Sequence, residues 1–324
     1  MLASASSGPY PLFHSIAPSL DAMPAPTALP RVYLYGMIVF STIHRLKAEY
    51  PAADGYAEIE ETHRVPGGET GNSALVLATW GHPVKVAGPF LGTATRDPVT
   101  TFLTARGIDC SALHYDASFD GVRDLVLVAG PTRTVFGEFG RYFDGPRRWA
   151  VPARSDVEAA DVVGLDPFFG EQSLAVARLC RELGKRYVTI DCAPESELHR
   201  GAAATVVSGE HLRQHFPSAD RRELLRRYAE SSAGLTIFTA GSGEILFARA
   251  GGGIGSIGAF SIQPKSTLGA GDTFRGGVVH GVAAGLGDAA IVRFAAATAA
   301  CVCERFPMAH NPPSLTEVTA RAGL

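Results

Sequence analysis

Short β-branched runs alternate with longer amphipathic stretches through most of the chain, and this alternation restricts the fold more than any other feature. Val162 to Leu165 reads as a strand, Gln172 to Leu183 as a helix and Tyr187 to Asp191 as a strand. Thr205 to Val207 follows as a short strand, then a helix around Asp220 to Glu230 and a strand from Leu235 to Thr239. Parallel strands need a crossover connection, usually a helix, so repeated βα units predict an α/β fold. Its central, mainly parallel sheet should be flanked by helices on both faces.

The pattern starts earlier. Arg31 to Ser41 is short, apolar and β-rich and reads as one buried strand ending near Ser41. Gly71 to Trp80 suits a helix closed by Gly81, Val84 to Ala87 a strand, and Asp97 to Arg106 a helix closed by Gly107. Two regions break the rule: Ala57 to Val65 alternates polar and apolar residues, as does the pair Val122 to Ala129 and Thr132 to Phe139 around Gly130 and Pro131. Strands with one wet face suit a small exposed sheet, so a β lid is expected near 57–65 and 122–139. A hairpin around Gly251 to Gly258, with Ala259 to Ile262 strand-like, leads to a helix Ala270 to Ala284 and another from Asp288 to about Glu304. Ser314 and Glu317 form a capping box for a last helix.

No composition break after residue 31 divides the chain, so one main domain over 31–324 is expected after a disordered leader at 1–30. That leader has no Lys or Arg and no apolar core, unlike a signal or transit peptide, and Met23 offers an alternative start. With 46% hydrophobic and 19% charged residues, the 324-residue chain can bury a large core. A net charge of −3 provides no field to concentrate nucleic acid, and no apolar run is long enough to span a bilayer. Five scattered cysteines, Cys110, Cys180, Cys192, Cys301 and Cys303, make a poor disulfide framework and point to a reducing, cytoplasmic setting.

Two segments carry chemistry. In Ser266-Thr267-Leu268-Gly269-Ala270-Gly271-Asp272-Thr273-Phe274, small residues run straight into a helical pattern. The first turn of a helix leaves N–H groups unpaired at the positive end of its dipole, which makes an anion site. A carboxylate in that turn can take the proton of an attacking hydroxyl, or it can simply cap the helix. In Gly67-Gly68-Glu69-Thr70-Gly71-Asn72-Ser73-Ala74, paired glycines and an amide precede a helix; such donors suit a polyhydroxylated ligand, although a glycine turn capped by Asn72 has the same pattern.

Together and in this order the two segments resemble the PfkB carbohydrate kinase family, whose ribokinase-like members include ribokinases, fructokinases, ketohexokinases and adenosine kinases. The resemblance covers about residues 31 to 324 and implies ATP-dependent phosphorylation of a hydroxyl on a sugar or sugar-like small molecule. It makes Asp272 the catalytic base, Gly269, Ala270 and Gly271 the anion hole, and Gly67, Gly68 and Asn72 sugar contacts. Thr239, Gly241 and Gly243, in TAGSG after a strand, look like the nucleotide loop, with Thr267 of the signature beside it. Asp166, ending a strand, falls where ribokinases place an acidic substrate contact. It also implies a small-molecule partner, with neither nucleic acid nor membrane, and a homodimer paired through the lid or a lid mobile until sugar binds.

Several positions depart from the family pattern. A sugar-binding Asp expected five residues after Gly36 is Ser41, so hydroxyl recognition must differ. Ser266 replaces an Asp that contacts a monovalent cation, which leaves potassium activation unsupported. The Asn-x-x-Glu motif that supports Mg²⁺ through water becomes Ser208-Gly209-Glu210-His211, where Glu210 is the remaining candidate. Gly253-x-Gly255-x-x-Gly258 matches the dinucleotide fingerprint but lacks the helix that must follow. The alternatives are a nucleoside kinase of the same fold, with Tyr56, Phe136 and Phe139 as stacking candidates, and a non-catalytic ligand-binding relative.

Overall fold

The computed structural model describes residues 28–324, so the expected leader, up to residue 27, and Met23 lie outside the described residues. Among the described residues thirteen strands are formed: β1 (Val32–Tyr35), β2 (Val39–Leu46), β3 (Ile59–Gly67), β4 (Val84–Ala87), β5 (Asp109–Ala112), β6 (Arg123–Ala129), β7 (Thr132–Gly137), β8 (Val162–Leu165), β9 (Arg186–Ile190), β10 (Ala204–Val207), β11 (Leu235–Phe238), β12 (Ile245–Ala248) and β13 (Gly255–Ile257). Nine of them make the main sheet in the order β13-β12-β11-β10-β9-β8-β1-β4-β5. It is parallel from β11 to β5, and antiparallel where β12 and β13 join as a hairpin. The other four form a separate sheet in the order β3-β2-β6-β7.

Both faces of the main sheet are buried, which explains its near-continuous apolar strands. In β1, Val32 and Leu34 belong to one core cluster and Tyr33 and Tyr35 to the other. The first cluster is closed by helices Gly68–Thr79, Ala270–Ala283 and Asp288–Cys303, and the second by helix Glu171–Glu182. Among the described residues no helix is long and apolar enough to cross a membrane.

Two expectations need correction. Arg31 to Ser41 is not one strand: β1 ends at Tyr35 and β2 starts at Val39, in a different sheet. The break is at Gly36, where a Cβ would lie 2.0 Å from the Asp166 carboxylate. Because the chain is buried on both sides of this turn, its hydropathy does not reveal the change of sheet. Ala259 to Ile262 is not a strand either. β13 stops at Ile257 opposite Ile245, the first residue of its partner β12, and nothing remains to pair with beyond it. The lid strands appear as β3, β6 and β7, and β2, an unexpected member, joins them.

Candidate active site

Helices Gly68–Thr79 and Ala270–Ala283 bring their N-termini together beneath the four-stranded sheet. Gly269 precedes the second helix in a left-handed conformation, φ 78°, and a Cβ there would lie 3.3 Å from Asn72 Nδ2. The backbone angle therefore favours glycine, and a side chain there would also crowd Asn72. The Ala270 N–H turns back to the Thr267 carbonyl at 3.3 Å, while Gly269 and Gly271 border a cavity of about 490 Å³.

Asp272 lies in the first turn of this helix. Asn72 Nδ2 donates to its Oδ2 at 2.7 Å, and the Ser73 hydroxyl donates to its backbone carbonyl at 2.7 Å. Burial raises the Asp272 pKa, opposed by the Asn72 hydrogen bond and the positive charge of Arg133 on β7. Glu69 stands beside it with a pKa pushed up to about 7, first by burial and then by the Asp272 charge. Two carboxylates in one low-dielectric site cannot both ionise easily, so each raises the other's proton affinity.

Also at the cavity, Asp191 follows β9 with φ 40°, and its carboxylate accepts from the Ser208 N–H at 2.6 Å and the Ser208 hydroxyl at 3.0 Å. Burial raises its pKa and the neighbouring charge of Glu210 adds to this. Asp191 and Glu210 both border the cavity, and as hard oxygen donors they fit a Mg²⁺ held largely through water. Among the described residues no three His, Cys, Asp or Glu side chains group to cage a metal directly. Ser266 is buried at the cavity edge and brings no carboxylate for a monovalent cation.

The structure thus gathers Ser41, Gly67, Gly68, Asn72, Glu210, Thr239, Gly269, Gly271 and Asp272 around one cavity. Gly241 and Gly243 lie in the exposed turn just after Thr239. Thr267 is occupied otherwise: its N–H and hydroxyl both donate to the Pro131 carbonyl, at 3.0 and 3.1 Å, which docks the β6–β7 turn on the loop before the helix. Asp166 is fully buried and held by Arg275, the Met37 N–H and the Thr70 hydroxyl, so the carboxylate expected to meet substrate is spent on the protein. Among Tyr56, Phe136 and Phe139, only Phe139 borders the cavity; Tyr56 is 83% exposed. Sequence reasoning missed Glu69, Asp124, Arg133, Asp191 and Arg275. Asp191 carried a usable signal, an acidic residue at the carboxyl end of a parallel strand, where open α/β sheets bind ligands.

The family model of pfkB family carbohydrate kinases matches residues 34–314. The chain belongs to this family. No curated protein matches it. Among solved structures, this pfkB-family chain is similar to ribokinase of Arabidopsis thaliana complexed with ribose and ATP, 15% identical with a TM-score of 0.75, over 91% of this chain and 99% of that one. A PfkB protein from Polaromonas sp. JS666 is 21% identical with a TM-score of 0.70, over 90% and 99% of the two chains. A nucleoside kinase of Methanocaldococcus jannaschii is 16% identical with a TM-score of 0.70, over 91% and 99%. These likenesses establish the ribokinase-like fold, and the kinase assignment rests on the family match.

Proposed function

We propose that this kinase transfers the γ-phosphoryl group of ATP to a hydroxyl of a sugar or sugar-like alcohol. One observation carries this reading: Asp272, the acid held by Asn72, sits in the first helical turn beside the Gly269 and Gly271 backbone at the cavity wall. The substrate hydroxyl gives its proton to the Asp272 carboxylate as its oxygen bonds to the γ-phosphorus. The bond from that phosphorus to the β–γ bridging oxygen breaks and ADP leaves. N–H groups at the helix N-terminus and the Arg133 guanidinium stabilise the charge on the transferring group.

Gly67, Gly68, Asn72 and Ser41 line the substrate side, and Thr239 with the Gly241 to Gly243 turn the nucleotide side. Asp191 and Glu210 would hold Mg²⁺ through water, and the ion would neutralise phosphate charge. A nucleoside acceptor is the second reading, supported by the Phe139, Phe143 and Phe168 rings at the cavity border, which suit stacking on a base. The exposed outer face of the lid supports pairing of two copies.

The test is Asp272→Asn, assayed with MgATP over a panel of sugars and nucleosides. Asn keeps an oxygen for the Asn72 donor, so the melting temperature should hold. Turnover should fall by a factor of ~10² to 10⁴. Near-normal turnover would reject Asp272 as the base.

A further inference from the structure

Asp124 is the one acidic side chain on an otherwise mostly apolar surface of the lid that faces the cavity. Along β6 the residues Asp124, Val126 and Val128 share a face, and the first two border the cavity with Ser41 and Ile43 of β2 and Val135 of β7. The strands are in register, with Ser41 opposite Asp124, Ile43 opposite Val126 and Val126 opposite Val135. Among the described residues Asp124 forms no ion pair, its Oδ1 is shut off from solvent without a hydrogen-bond partner, and Ser41 is the residue opposite it on β2. An acceptor enclosed in this way is costly unless a donor arrives from elsewhere.

The position of Asp124 relative to the reacting end is also informative. Arg133 lies opposite Val128, four residues further along β6, so about 13 Å of strand separates the negative end of this face from its positive end. From Asp124 a row of polar groups leads back to the base. Ser41 Oγ lies 3.2 Å, and Asn72 Nδ2 3.8 Å, from where a Cβ on Gly67 would stand, and Asn72 holds Asp272.

We infer that Asp124 is a specificity-determining residue that accepts a hydrogen bond from a hydroxyl of the substrate remote from the one phosphorylated, selecting polyhydroxylated acceptors long enough to reach it. This rests on the kinase reading above. Ser41 then orients the carboxylate, and Val126 and Val135 cover the carbon skeleton between the two polar ends.

The experiment compares wild type with Asp124→Asn on the acceptor found in the sugar and nucleoside panel, and on analogues of it lacking single hydroxyls. Asp124→Asn should raise KM about 10- to 100-fold while kcat stays within about threefold, since hydrogen bonds to charged groups are worth that much and the base is untouched. Removing the matching hydroxyl should cost wild type as much, and should cost the variant little more. An unchanged KM, or equal losses for every analogue in both proteins, overturns the assignment. If no panel member is phosphorylated, the kinase reading fails, and Asp124 is judged on binding alone. Polyols should raise the wild-type melting temperature and leave that of Asp124→Asn unmoved; no difference between the proteins overturns it.

Discussion

Arg275 and Asp166 form an ion pair with no exposed surface, joining the helix that carries Asp272 to the end of β8. Arg275 also reaches Ser73 Oγ at 3.2 Å and the Glu69 carbonyl at 3.1 Å, while the Met37 N–H donates to Asp166 Oδ2 at 2.7 Å. Burial lowers the Arg275 pKa to about 10, so the guanidinium stays charged at neutral pH. The pair ties both helices that frame the cavity to the turn where β1 passes into β2.

Breaking such a pair leaves one buried charge uncompensated. Arg275→Met or Asp166→Asn should each lose about 3–5 kcal/mol in chemical denaturation, and the double variant should lose less than the sum. Strictly additive losses would show that the two groups are not coupled.

The carboxylates of Asp272 and Glu69 predict the pH dependence of catalysis. Burial raises both, Glu69 to about 7, so the base takes up its proton above the usual carboxylate range as pH falls. The value of kcat/KM should therefore decline on the acid side at a higher pH than an ordinary carboxylate would give. Glu69→Gln removes the repelling charge, lowers the proton affinity of Asp272 and should move the decline to lower pH. A profile that does not move would separate Glu69 from the base.

His82 and His280 predict the pH dependence of stability. His82 Nε2 and His280 Nδ1 are 2.9 Å apart, and His280 stacks on Phe294 with ring centroids 4.6 Å apart. Burial and then His82 lower the His280 pKa to about 4, and burial lowers that of His82. The unfolded chain takes up protons near pH 6.5 and the folded one only near 4, so stability is complete above about pH 6.5 and is lost as pH falls toward 4. The loss from His280 is about 3 kcal/mol. His280→Phe should flatten the curve measured by denaturant titration at several pH values; an unchanged slope would clear this residue.

On the outer face of the lid, Leu125 and Phe136 are opposite each other on β6 and β7, 36% and 52% exposed. Paired lids would cover them. Light scattering should give a dimer mass for the wild type and a monomer mass for Phe136→Asp, with similar melting temperatures. A monomeric wild type would end this reading.

What could be read in the sequence was whatever depends on neighbours along the chain. The alternation of strands and helices foretold the layered sheet, Val84 to Ala87 and Val162 to Leu165 emerged with the expected ends, and the Ser314 capping box formed as spaced. GAGD and GGETGN announced two glycine-led helix starts because turn geometry and helix capping are local. What only the tertiary structure decided depends on pairs far apart in sequence. The Asn72 amide reaches Asp272 across 200 residues, and Asp124 meets Ser41 only because β6 pairs with β2. Asp166 looked free at a strand end, and only packing showed that Arg275, over 100 residues away, had claimed it. Hydropathy and spacing record whether a residue prefers the interior; they do not record which partner it finds there, and for a buried charge the partner determines its role.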